Sequence, residues 1–185
     1  MRRKMISTLL AATLVIALAV SLPIYLLGNS PAISPNNTQM LLKGHVIIQL
    51  NGDIVREFDN LITNVGLDAI GACISDATNR PAVFDYIGVG EGTTVPSKTD
   101  TDLEDPLGDG RLQGTYTNLA EPGEWQVKAV FPPGTAVGAI TESGVFNANI
   151  ATGGTLLCRQ TFPVVNKGVG DTLEITWKFT LVQAP

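Results

Sequence analysis

Residues 171 to 181 read DTLEITWKFTL. Leu173, Ile175, Trp177, Phe179 and Leu181 alternate without interruption with Thr172, Glu174, Thr176, Lys178 and Thr180. A period of two is that of side chains on a β-strand, so the segment presents one apolar face to a core and one polar face to water. Working back along the chain, EWQVKAVF (124–131) repeats the pattern with Trp125, Val127, Ala129 and Phe131 on one face. SGVFNANI (143–150), TLLCRQTF (155–162) and AVFDYIGVG (82–90) read as further strands, the last entering a glycine-rich loop. HVIIQLNGDIVREF (45–58) supplies two more, at about 43–50 and 53–58, around Asn51-Gly52, a dipeptide that favours a two-residue type I′ hairpin. Eight or so such strands predict an all-β fold, a two-sheet β-sandwich of jelly-roll or immunoglobulin-like kind.

One segment changes period. In NLITNVGLDAIGACISDA (60–77), Leu67, Ile70 and Ile74 recur at helical spacing behind Asn64, which reads as an N-cap. This predicts one short helix packed on the sheet.

Composition agrees with short strands and tight turns: 6% of residues are aromatic, and 19 of the 185 are glycine. The net charge is −5, of which Arg2, Arg3 and Lys4 contribute +3, so the remainder carries −8. That balance argues against nucleic acid and against an anionic membrane surface as partners. A single histidine, His45, leaves almost no material for a zinc site or a histidine-based dyad, and its place in a strand beside the hairpin suits a surface or interface residue. Cys73 and Cys158 lie 85 positions apart, outside any CxxC motif. Outside the cytosol they can close a disulfide, and the alternative is two buried thiols that never meet.

The N-terminus reads MRRKMISTLLAATLVIALAVSLPIYLLG (1–28), and Ile6 to Leu27 carries no charged side chain. About 20 such residues span a hydrocarbon core as a helix, whereas a secretory h-region has about 7 to 15. Three readings stand: a retained apolar helix, a cleaved signal with small residues at ALA (17–19) or SPA (30–32), and a plain anchor. All three place the remainder outside the cytoplasm, because Arg2, Arg3 and Lys4 stay inside. GNSPAISPNNTQ (28–39) follows as an extended spacer, and Asn36 opens an N-x-T sequon open to glycosylation. The expected organisation is a leader or core helix at 1–28, a flexible linker or donor segment at 29–42, and the β domain at 43–185.

The order of a few basic residues followed directly by ISTLLAATLVIALAV (6–20) resembles the class III leader of archaeal type IV pilins and archaellins. The resemblance implies a cut beside Lys4 or Met5 and an apolar helix kept as the packing core of a filament. The segments YIGVGEGTTVPSKTDTDLEDPL (86–107), ITESGVFNANIATGGTLLCRQTF (140–162) and GDTLEITWKFTL (170–181) look like a β-domain of tailed-phage fibre and tail proteins. That resemblance implies a non-enzymatic structural module, and its pairing with an export leader points to a cellular surface structure.

Three stretches carry candidate chemistry. GVGEG (88–92) lacks the helix start and βαβ frame of a nucleotide loop, and a loop glycine at positive φ accounts for it better. DTDLEDPLGDG (100–110) gathers Asp100, Asp102, Glu104, Asp105 and Asp109, enough oxygen donors for calcium though not at EF-hand spacing, or else a solvated acidic loop; Arg111 can pair with one of them. Asp102 and Glu104 offer general acid–base carboxylates as any such loop does, so no enzyme is expected and no other cofactor. The expectation is the subunit of an extracellular filament, self-associating into a homopolymer. Assembly would run either through packing of Ile6–Leu27 or through donation of TQMLLKGHV (38–46) or its neighbour to an open sheet edge. Before assembly, residues 6–27 would sit in the membrane. The competing classes are a tethered or secreted adhesin acting through its loops at 88–110 and, from the second resemblance, a virus-derived tail or fibre structural protein.

Overall fold

Asn51 and Gly52 both adopt positive φ, 53° and 94°, the backbone of a type I′ turn. They join β1 (Met40–Leu50) to β2 (Asp53–Asp59) as the sequence predicts. The computed structural model describes residues 39–150 and 153–183, which belong to a compact unit spanning Thr38–Pro185. After the hairpin come β3 (Leu61–Ile62), α1 (Asn64–Ser75), β4 (Tyr86–Gly90), β5 (Pro106–Gln113) and β6 (Thr115–Asn118). β7 (Glu124–Phe131), β8 (Gly138–Phe146), β9 (Leu156–Lys167) and β10 (Leu173–Gln183) complete the described elements.

The strands form two five-stranded antiparallel sheets, β2-β1-β10-β7-β6 and β3-β9-β8-β4-β5. The terminal alternating strand β10 lies at the centre of the first. It pairs with β1 from Met40↔Gln183 to Leu50↔Leu173 and with β7 on its other side. Leu173, Ile175, Trp177 and Phe179 are fully buried, as their parity requires, while Leu181 at the strand's end is 38% exposed. Val46 and Ile48 of β1 and Val127, Ala129 and Phe131 of β7 join them against Ile87, Val89, Val145 and Leu157 of the second sheet. Trp177 Nε1 donates to Ser143 Oγ at 3.3 Å, and that hydroxyl donates to the Gly88 carbonyl at 2.8 Å, so these two buried side chains are satisfied.

Several expectations need correction. The helix is capped by Thr63, whose Oγ1 accepts from Gly66 N at 3.0 Å and donates to the Leu156 carbonyl at 2.6 Å; Asn64 is the first helical residue. α1 buries Gly66 and Ala69, and leaves Leu67 and Ile74 more than half exposed. A Cβ on Gly66 would lie 2.9 Å from the Leu157 Cα, so the helix seats its small residues on β9, packs Ile70 against the core and leaves Leu67 and Ile74 outward. Met40, Leu41 and Leu42, read as linker or donor segment, are the first residues of β1. From His45 onward β1 is paired on both sides, and from Met40 it is paired with β10 of its own chain. β3, β5 and β6 were not foreseen: β5 contains Gly108 and Gly110, and β6 is a four-residue exposed edge. β8 begins at Gly138, ahead of the predicted 143, and ends at Phe146.

The apolar segment 6–27, the leader boundary and Asn36 lie outside the described residues. Among the described residues no helix is long and apolar enough to cross a membrane.

Candidate functional site

The acidic cluster proves to be part of a clamp. The chain between β4 and β5 folds over the outer face of the second sheet, where Leu103 packs with Phe146 and Leu156 in a small apolar cluster of its own. The anchor is Glu142 of β8, fully buried. Its carboxylate accepts from the backbone N–H of Gly92 (3.2 Å), Glu104 (3.1 Å) and Asp105 (2.8 Å), and from Arg159 Nε (2.8 Å). Arg159, 2% exposed on β9, also pairs with Asp100 at 2.8 Å and approaches Glu104 at 3.6 Å. Burial pulls the Arg159 pKa down, but the hydrogen bonds and charges of Glu142 and Asp100 outweigh it, and the net shift is upward.

A second guanidinium, Arg111, stacks 3.5 Å above the centre of the Phe146 ring, pairs with Asp102 at 3.0 Å and donates to the Gly153 carbonyl at 2.8 Å. Asp102 accepts in turn from Gly153 N at 2.7 Å. Glu104 accepts from the amides of Thr93 and Thr94 and from the Thr94 hydroxyl, and that hydroxyl is the main reason its pKa is lowered. Asp109 accepts from Ala136 N at 3.0 Å, and Asp105 is exposed. Four of the five carboxylates, those of Asp100, Asp102, Glu104 and Asp109, therefore diverge toward arginines and backbone amides. Among the described residues, no three His, Cys, Asp or Glu side chains converge where they could hold a metal ion.

The glycines of GVGEG serve this clamp. None of Gly88, Gly90 and Gly92 has a positive φ, contrary to the loop-glycine reading. A Cβ on Gly90 would lie 2.6 Å from Glu142 Oε1, and one on Gly92 2.5 Å from the same oxygen. Their missing side chains make room for the buried carboxylate. Glu142 and Arg159 were the residues that sequence reasoning missed. The signal was present: each is a charged residue inside a strand otherwise buried on both faces, Glu142 in GAITESGVF and Arg159 in LLCRQTF.

The cysteines are both free thiols, Cys158 buried and Cys73 half-buried, so the disulfide alternative is not realised in this structure. Burial pushes the Cys158 thiol far above its ordinary pKa, which makes it inert. His45 is half-buried on β1, with Nδ1 3.0 Å from Asp59 on the adjacent strand. That pairing gives it a local partner on the hairpin.

A different feature faces outward. At the end of the sandwich where β1 begins, an apolar groove of about 650 Å³ opens between the first sheet and α1. Its sheet wall comes from Met40, Leu42, Trp125 and Leu181, its helix wall from Leu67, Ile70 and Cys73, and Val83 and Phe84 close one side. Asp85 is the one charged residue of the lining. Met40, Leu67 and Val83 are 66%, 51% and 71% exposed. Trp125 stacks on Phe179 with centroids 5.4 Å apart, which backs the sheet wall of the groove. Tyr116 of β6 stands at its lip, on an outermost strand of the first sheet. Contiguous exposed apolar surface of this kind marks interaction sites on soluble domains.

Compared with protein families, characterised proteins and solved structures, the chain finds no match.

Proposed function

We propose that the chain is the structural subunit of an extracellular filament, with a jelly-roll or immunoglobulin-like sandwich as its globular part and the N-terminal segment as the element through which copies polymerise. The observation that carries the proposal is the placement of the apolar groove at the strand end where the N-terminal arm joins. An uncharged run of 22 residues, Ile6 to Leu27, lies upstream of Met40, and Met40 lines a groove nearly free of charge. An uncharged apolar run and an exposed apolar groove on one chain favour association of copies over life as a monomer. The carboxylates at 100–109 that an adhesin or an enzyme would use are engaged, apart from exposed Asp105, in fixing their own loop. That engagement supports a scaffold over a binding or catalytic role.

The test compares the full chain with a chain lacking residues 6–27, by sedimentation and negative-stain electron microscopy. The proposal expects filaments from the first and soluble monomers of unchanged thermal stability from the second. Filaments without residues 6–27, or only monomers from the full chain, would overturn it.

A further inference from the structure

We infer that the groove between α1 and the first sheet is the acceptor for the apolar segment Ile6–Leu27 of a second copy of this chain. The inference rests on the filament reading above and names the contact that would build it. The groove wall is apolar from the helix side (Leu67, Ile70) and from the sheet side (Met40, Leu42, Trp125, Leu181). The segment from Ile6 to Leu27 has no charge to desolvate on entering it. Leu67 lines the groove yet is 51% exposed, apolar surface that a covering segment would bury.

Occupation by a neighbour's segment is the arrangement that grows a polymer, whereas a chain's own segment would close the groove on itself and end growth. The spacer 28–39 holds 12 residues, which extend to at most roughly 40 Å. β1 alone, at 11 residues, is about 36 Å long. The arm therefore reaches across one domain length to the next groove. Each copy then carries one arm and one groove, a head-to-tail contact that does not close on itself and grows as an open filament. An exposed strand edge, β6, borders the same groove and leaves its outer backbone groups available to an incoming segment.

The native Cys73 in the groove wall provides the test, because Cys158 is buried and unreactive. Full-length chains carrying Leu18→Cys and Cys73→Ser are mixed with chains carrying native Cys73, allowed to assemble, and oxidised. A disulfide-linked dimer between the two populations on a non-reducing gel is expected, and its absence from assembled filaments would overturn the groove assignment. A chain carrying Leu18→Cys beside native Cys73 separates the alternatives: a cross-link within one chain would overturn docking between copies. Leu67→Lys with Leu181→Lys changes two exposed groove residues and leaves the buried core untouched. This variant should unfold at the same temperature as the unaltered chain and lose polymer by at least tenfold. Normal filaments from it would refute the groove while leaving the filament reading intact; absence of filaments from the unaltered chain would refute the filament reading itself.

Discussion

Replacing Glu142 by Ala removes the anchor of the outer clamp, and its effect follows from the contacts. Glu142 is fully buried and offers oxygens to Arg159 and to the amides of Gly92, Glu104 and Asp105. Its loss leaves the Arg159 guanidinium, 2% exposed, with Asp100 as its close partner. Removing one member of a buried ion pair costs about 3 to 5 kcal/mol, and orphaned buried amides add to it. Water entering the vacated space relieves some of those amides, so we expect about 4 kcal/mol. For a domain of this size that lowers the melting temperature by roughly 10 to 15 °C. Urea denaturation followed by the fluorescence of buried Trp177 measures it. The companion variant Glu142→Leu with Arg159→Met exchanges the pair for apolar groups of similar volume and should recover much of the loss. A loss below about 1 kcal/mol for Glu142→Ala would refute the reading of the acidic loop as a clamp.

Other expectations are smaller. Thr63→Ala removes the α1 cap and a buried donor to Leu156, costing about 1 to 2 kcal/mol in the same denaturation assay. Gly90→Ala places a Cβ against the Glu142 carboxylate and should destabilise by about 1 to 3 kcal/mol, with a shift in denaturation midpoint as the readout. Glu104, held low mainly by the Thr94 hydroxyl, and Asp171, held low mainly by the Asn51 amide, have folded pKa values below their unfolded ones. Their contribution to stability is full above the ordinary carboxylate range and is lost as pH falls through the folded values, so thermal melts should hold from neutrality to about pH 5 and decline below it. Treating the native chain with a thiol reagent should label Cys73 and spare Cys158; mass spectrometry after digestion reads the outcome.

How much of this was legible beforehand depended on whether a pattern was local. The β1–β2 hairpin announced itself through Asn51-Gly52, and β7 and β10 through strict alternation, because each needs only its own residues to be recognised. The edges were hidden for a physical reason: β5 and β6 are short, glycine-containing or exposed, which is how sheets discourage further pairing and also what erases a strand signal. The helix was found, but its packed face was misread. Leu67, Ile70 and Ile74 look like a core stripe, yet Gly66 and Ala69 are the buried residues, Ile70 alone of the three packs against the core, and Leu67 and Ile74 stay exposed. The acidic residues were located correctly at 100–109, yet their partners Glu142 and Arg159 lie some 40 to 60 positions away on other strands. No short-range reading joins them. The charge-free arm at 6–27 was evident from composition, and the groove that suits it was not, since its lining comes from four strands of the first sheet, one of the second, a helix and a loop.

Assembly as proposed requires that the N-terminal segment be retained. Sequencing the N-terminus and measuring the intact mass of the chain recovered from sedimentable surface material tests this most directly. A chain beginning at Met5 or Ile6, with residues 6–27 intact, is the expected result. A chain beginning near Val20 or Ile33 would contradict it, because the element proposed to bind the next copy would have been discarded before assembly.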